Sequence, residues 1–325
     1  MRIYLSGPQA SWGEQLQDRD LLVSFAEPRQ LKLLDGRISA SSWLVDSGAF
    51  TAWTRGRQID LAAYIAFCQG LEAQKKAGLL PLGGYLALDV IPGEKGRLPT
   101  PDEVAWATAK SAENLAAMMD AGLSPWPVYH EGEPMDLLDA YVDQGHDVIA
   151  LGATASRGKS RLVDWLAPIF ERHPGQRFHG LAMTQGKLLR SLPFHSVDST
   201  SWINLCRYGV EANLYLLRGR SPGFWQALGY DLPPFDVARA GDELAARGAD
   251  VLRLAGVLAL HDTWTSPAGS PVTREGQMLI APASSLGGVP RGPKVTRPHG
   301  HKKPAMPSRI VPGQLPMFRA RRRTA

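Results

Sequence analysis

Along residues 1–200, short apolar runs alternate with longer stretches whose apolar positions keep a helical spacing. The runs at 3–6, 21–25, 43–46, 84–90, 126–130, 147–152, 177–182 and 194–198 read as strands. Between several of them the helix signals are strong. Asp60 caps a stretch in which Leu61, Tyr64, Ile65, Cys68 and Leu71 share one face. Thr100-Pro101-Asp102-Glu103 is a capping box with Pro at the first helical position, and Gly122 ends that helix. Pro134 opens another, with Met135, Leu138, Tyr141 and Val142 together. A fourth carries Leu162, Val163, Leu166, Ile169 and Phe170 and stops at Pro174-Gly175. Such alternation predicts parallel strands joined by crossover helices. Eight strands predict an α/β fold of the (β/α)8 TIM-like barrel class over residues 1–264, a length that suits the about 250 residues of that architecture. An open doubly wound sheet is the alternative, and no Gly-x-Gly-x-x-Gly follows any strand to support it.

Charge changes the picture at one end. The whole chain carries +5, but eleven of its Lys and Arg and one acid lie between Thr265 and the C-terminus. The tail at 265–325 is therefore +10 and residues 1–264 are −5. The tail is Pro- and Gly-rich without periodicity, which predicts disorder, and its charge predicts contact with a polyanion such as nucleic acid. A merely solubilising tail is the plainer reading. Two cysteines, Cys68 and Cys206, are too few for a disulfide framework. No stretch has the length and apolarity of a membrane span, since residues 251–260 are short and contain Arg253. A cytoplasmic protein with no membrane partner fits these features.

Polar residues collect where the predicted strands stop: Asp46, Asp89, His130, Gly152, the turn after Ala182, and Asp198. In a barrel those positions share one mouth, where active sites are built. A single strand-end aspartate often does no more than cap the following helix. Three of them with a histidine suit three roles. The first is glycosyl transfer through a nucleophilic carboxylate and an acid/base carboxylate. The second is a metal-dependent hydrolase using His130, His179, His195 and the aspartates. The third is a non-catalytic nucleic-acid binder. No phosphate loop and no cofactor motif is present.

Asp46-Ser47-Gly48-Ala49-Phe50 resembles the Asp-Ser-Gly-Gly-Phe signature of the tRNA-guanine transglycosylase (queuine tRNA-ribosyltransferase) superfamily. Leu88-Asp89, Leu151-Gly152-Ala153, His179-Gly180-Leu181-Ala182 and Ser196-Val197-Asp198 resemble later pieces of it, in the same order, over roughly residues 40–205. The chain is most similar to the DpdA-type deazapurine DNA-modification proteins. The Cys-x-Cys-x-x-Cys zinc segment of the tRNA enzymes is missing, with Cys206 alone in that region. The resemblance implies exchange of guanine in DNA (or, less simply, tRNA) for a 7-deazaguanine such as 7-cyano-7-deazaguanine, with no metal and no cofactor. Asp198 would be the nucleophile at C1′ and Asp46 the general acid/base. Asp89 would read the base, in a pocket with Ser47, Gly48, Gly152, His179 and Gly180. His130, without a counterpart in the family, joins the pocket by its place at a strand end, and Phe50 either stacks on the base or packs. Reaching a stacked base requires flipping it, which leaves room for a helper ATPase or helicase. Arg157, Lys159 and Arg161, on the loop after 147–152, would grip the flanking backbone. Ser199, Thr200 and Ser201 would orient the nucleophile or meet a phosphate.

Overall fold

The structure, a computed structural model, describes residues 1–94, 97–152 and 162–265. Arg157, Lys159, Arg161 and the basic tail beyond Thr265 lie outside the described residues. Eight strands form one parallel sheet: β1 (Arg2–Ser6), β2 (Asp20–Ser24), β3 (Ser42–Asp46), β4 (Leu82–Tyr85), β5 (Val128–His130), β6 (Val148–Gly152), β7 (Arg177–Gly180) and β8 (Ser196–Ser199). Their order is β4-β3-β2-β1-β8-β7-β6-β5. The first and last strands in the chain are therefore neighbours, with Tyr4 beside Asp198 in register. At the two edges Leu86 and Trp126 form an isolated parallel bridge. The Trp126 N–H donates to the Tyr85 carbonyl at 2.9 Å and the Ala87 N–H to the Trp126 carbonyl at 2.8 Å. The sheet is curled, consistent with a TIM-like barrel, and each predicted strand has its counterpart.

The helices are α1 (Gly13–Leu16), α2 (Pro28–Leu31), α3 (Ala49–Thr54), α4 (Leu61–Lys76), α5 (Pro101–Asp120), α6 (Met135–Asp143), α7 (Leu162–Arg172), α8 (Gly186–Ser191), α9 (Asn204–Ala212), α10 (Pro222–Ala227), α11 (Val237–Ala246) and α12 (Ala249–Thr265). The start signals hold in detail. Asp60 accepts from the Ala63 N–H at the head of α4. Thr100 and Glu103 make the reciprocal capping box of α5, with Pro101 at its first position. The weak helix signal between the first strands corresponds to the four-residue α1 and α2.

Period-two alternation sorts the strands into two layers. Ile3, Leu5, Leu21, Val23, Trp43 and Val45 face the helices and belong to the large core. The intervening Tyr4, Leu22, Leu44, Val128 and Ala150 pack on one another and on Trp126, inside the curl. Two residues further along these same inward rows stand Ser6, Ser24, Asp46, His130 and Gly152. The pleat itself gathers the polar residues at the carboxyl ends of the strands.

Beyond β8 the chain builds a second apolar cluster from α9–α12, with Leu205, Phe224, Trp225 and Leu244 among its buried residues. Helix α12 joins it to the sheet by packing on the turn Ser201–Ile203.

Candidate active site

Each carboxylate at the strand ends has a distinct set of partners. Asp46, the last residue of β3, is half-buried, and the loop after it turns sharply. Gly48 makes that turn at φ +85°, and a Cβ there would sit 2.4 Å from the Ala26 Cβ, so only glycine fits. The Ser47 hydroxyl, fully buried, donates to Asp89 Oδ1 at 3.2 Å and accepts from the Ala49 N–H at 3.3 Å. Burial pushes the Asp46 carboxyl up to about 7; the charges of Asp89 and Asp198 push the same way, against the Gly48 N–H and the neighbouring Ser24 hydroxyl. That mutual influence brings Asp46, Asp89 and Asp198 into one electrostatic neighbourhood.

Asp198 on β8 is held on both oxygens. Ser6 Oγ donates to Oδ2 at 2.6 Å, and the Ala182 N–H donates to Oδ1 at 2.9 Å. Ala182 adopts φ +55°, a left-handed conformation that costs a non-glycine residue energy, and it aims its N–H at the carboxylate. Below lies His179, fully buried, with Nδ1 2.8 Å from Ser196 Oγ. Its Nε2 stands 3.3 Å from Asp198 Oδ1 without making a hydrogen bond. The imidazole contacts the Tyr4 and Trp126 rings edge-on and at a tilt, so it forms the floor under the carboxylate.

Asp89 follows β4 rather than ending it. The expected strand at 84–90 stops early because α5 takes over its backbone: Asn114 donates to the Leu88 carbonyl at 2.9 Å, and the Val90 N–H donates to Ser111 Oγ at 2.9 Å. Asp89 Oδ2 meets His130 Nε2 at 2.8 Å. Burial alone would lower the His130 pKa, but hydrogen bonding and charge from Asp89, the charge of Glu133 and the Gly152 main chain carry it upward overall. Gly152 leaves room for this ring, since a Cβ there would lie 2.7 Å from His130 Nδ1. The bare backbone at Gly152 thus accommodates the imidazole, which stands where a base contact had been expected.

Asp46, Ser47, Gly48, Asp89, His130, Gly152, His179 and Asp198 are therefore assembled in one region. Other expected residues lie elsewhere. Phe50 projects from α3 with 54% of its surface exposed and packs on Trp53 with ring centroids 5.7 Å apart. Gly180 faces the helix layer, where a Cβ would strike the Phe194 ring at 2.8 Å. Ser199 and Ser201 bond each other at 2.9 Å rather than the Asp198 carboxylate. His195 lines a cavity of about 410 Å³ at the opposite ends of the strands, with Arg2, Tyr4, Ser42, Trp126 and Arg177. Cys206 donates to the Ala249 carbonyl at 3.2 Å. Among the described residues no three His, Cys, Asp or Glu side chains are grouped to hold a metal, and no helix is long and apolar enough to cross a membrane.

Sequence reasoning missed Ser6 and Ser24, and gave no role to Glu133, the last residue of the His130-Glu131-Gly132-Glu133 turn. Ser6 ends the first predicted strand, and its signal was available in the topology: closing eight strands makes β1 the neighbour of β8. Glu133 closes the turn after β5, its Oε2 accepting from the His130 N–H at 2.6 Å. No protein-family profile matches the chain, and no curated protein matches it.

Proposed function

We propose that the chain is a DNA guanine transglycosylase on a (β/α)8 barrel, exchanging guanine for a 7-deazaguanine. The observation that supports this best is the contrast between Asp46 and Asp198. One carboxyl is driven up to about 7 by its surroundings, while the other accepts two hydrogen bonds that aim it. Environments that separate two carboxylates suit one to acid/base work and the other to nucleophilic attack.

In this reading the Asp198 carboxylate attacks C1′ of a flipped deoxyguanosine and displaces guanine, whose nitrogen takes the proton of Asp46. The product is a glycosyl ester on Asp198. The incoming 7-deazaguanine then gives a proton to Asp46 and attacks C1′ from the opposite face, returning Asp198 as carboxylate. Two displacements retain the β configuration, and the exchange needs no ATP. A pKa near 7 lets Asp46 serve as acid in one half and base in the other. Asp89, with one lone pair per oxygen given to Ser47 and His130, keeps a second on each for the donor edge of a guanine-type base. The missing zinc segment favours DNA over tRNA.

The test is incubation of the protein with DNA and labelled 7-cyano-7-deazaguanine, followed by digestion to nucleosides. Label should enter DNA, and Asp198→Ala should reduce incorporation by at least about 10³-fold. Absence of label with wild type, helper ATPase supplied, sinks the proposal. Undiminished incorporation by Asp198→Ala removes the nucleophile assignment.

A further inference from the structure

His130 and Asp89 form a buried ion-pairing unit whose construction exceeds what holding a loop requires. Asp89 is 9% exposed and His130 5%. His130 is fixed at both ring nitrogens and at its backbone. Asp89 Oδ2 lies 2.8 Å from Nε2, and Nδ1 occupies the space a Cβ on Gly152 would fill, 2.7 Å from it. Glu133 takes the His130 backbone N–H at 2.6 Å. Glu133 is itself fixed, with Thr108 Oγ1 donating to its Oε1 at 2.9 Å and Tyr129 donating to its carbonyl at 2.8 Å.

The groups facing the ring are Asp89 from the loop after β4, Glu133 from the turn after β5, and the Gly152 main chain on β6; each favours a charged imidazole. Around Asp89 stand Ser47 and Asp46 from β3 and its turn, Tyr64 from α4 and Tyr141 from α6, and burial keeps both phenols protonated.

We propose that His130 is a positioning residue that stands charged beside Asp89, fixes the orientation in which the Asp89 carboxylate accepts, and so selects bases with a donor edge. Guanine-type bases present an N1–H and an exocyclic amine, which an ionised carboxylate accepts. Adenine-type bases present an unprotonated N1, which only a protonated carboxyl could meet. The identity of the ligand rests on the base-exchange reading; the charged pair does not.

Two measurements on the full-length protein separate these parts. Histidine-selective NMR should find the His130 ring charged at pH 7, with the charge lost in Asp89→Asn. A neutral ring in wild type overturns the proposal, and this readout needs no variant to fold. Calorimetry with 7-deazaguanine and 7-deazaadenine should give a guanine-type preference of about 100-fold or more. His130→Gln should cut that preference about tenfold. An unchanged preference in His130→Gln overturns the selection role. A charged ring in a protein that binds neither base upholds the pair and removes the base-exchange reading.

Discussion

A carboxyl that titrates near 7 when folded and near about 3.9 when unfolded makes the protein less stable as pH rises between those values. Asp46 is such a group, raised chiefly by burial. The native state holds its proton where the unfolded chain has released it. Its effect is absent below about pH 4 and complete above about pH 7, amounting to at most roughly 4 kcal/mol. Asp46→Asn removes the charge and keeps the shape. Its melting temperature should exceed that of wild type at pH 8 and converge with it at pH 4, while base exchange is lost. A variant no more stable than wild type at pH 8 would contradict the buried-acid assignment. At this scale the sequence was informative where chemistry sits on one residue. Asp46 and His130 end their strands and Asp198 stands one residue before the end of β8, and the period of two sends them inward together. It was less informative for Ser6, whose role follows only from the order of the strands, and for Glu133, whose role depends on how one turn closes.

Helix α12 is held to the sheet side of the molecule through a position without a side chain. A Cβ at Gly256 would lie 1.8 Å from the Trp202 carbonyl oxygen and 2.7 Å from its carbon, both backbone atoms that cannot rotate away. Gly256→Ala should therefore cost about 3 kcal/mol or more in urea denaturation. Gly70→Ala in α4, where nothing lies within 4 Å of the added methyl, should instead stabilise by about 0.5–1 kcal/mol. Equal effects of the two substitutions would show that α12 does not dock as described. The same packing explains why the helices after β8 were hard to read. Val257 and Leu260 of α12 face the large core while Leu252, Ala255 and Ala259 face the second cluster, so the helix is apolar on two sides and its period is blurred. Helix α9 is broken at Gly209, which has φ 78° and ψ 165°. By contrast α4 and α5 were legible from their caps, because Asp60 and the Thr100–Glu103 box act within one turn of chain. Strand β4 was overestimated because Asn114 and Ser111, distant in sequence, satisfy the backbone that a longer strand would have paired.

Across the whole molecule the charge is divided, with −5 on residues 1–264 and +10 from Thr265 onward. An acidic body with a carboxylate-rich mouth repels a polyanion, so a DNA-modifying reading requires attraction from elsewhere in the chain. The eleven Lys and Arg of the tail are the largest such source in the sequence. Each phosphate they neutralise releases counterions and steepens the dependence of log K on log salt by about 0.9. Truncation after Thr265 leaves α12 whole and removes all eleven. The truncated protein should bind duplex DNA more weakly at low salt, with a flatter salt dependence, and the two binding curves should converge as salt rises. On the base-exchange reading, its rate on saturating DNA should match that of the full chain, because no residue of the carboxylate mouth has been touched. An unchanged slope would make the tail a bystander and leave Arg157, Lys159 and Arg161 as the remaining basic candidates for a DNA contact.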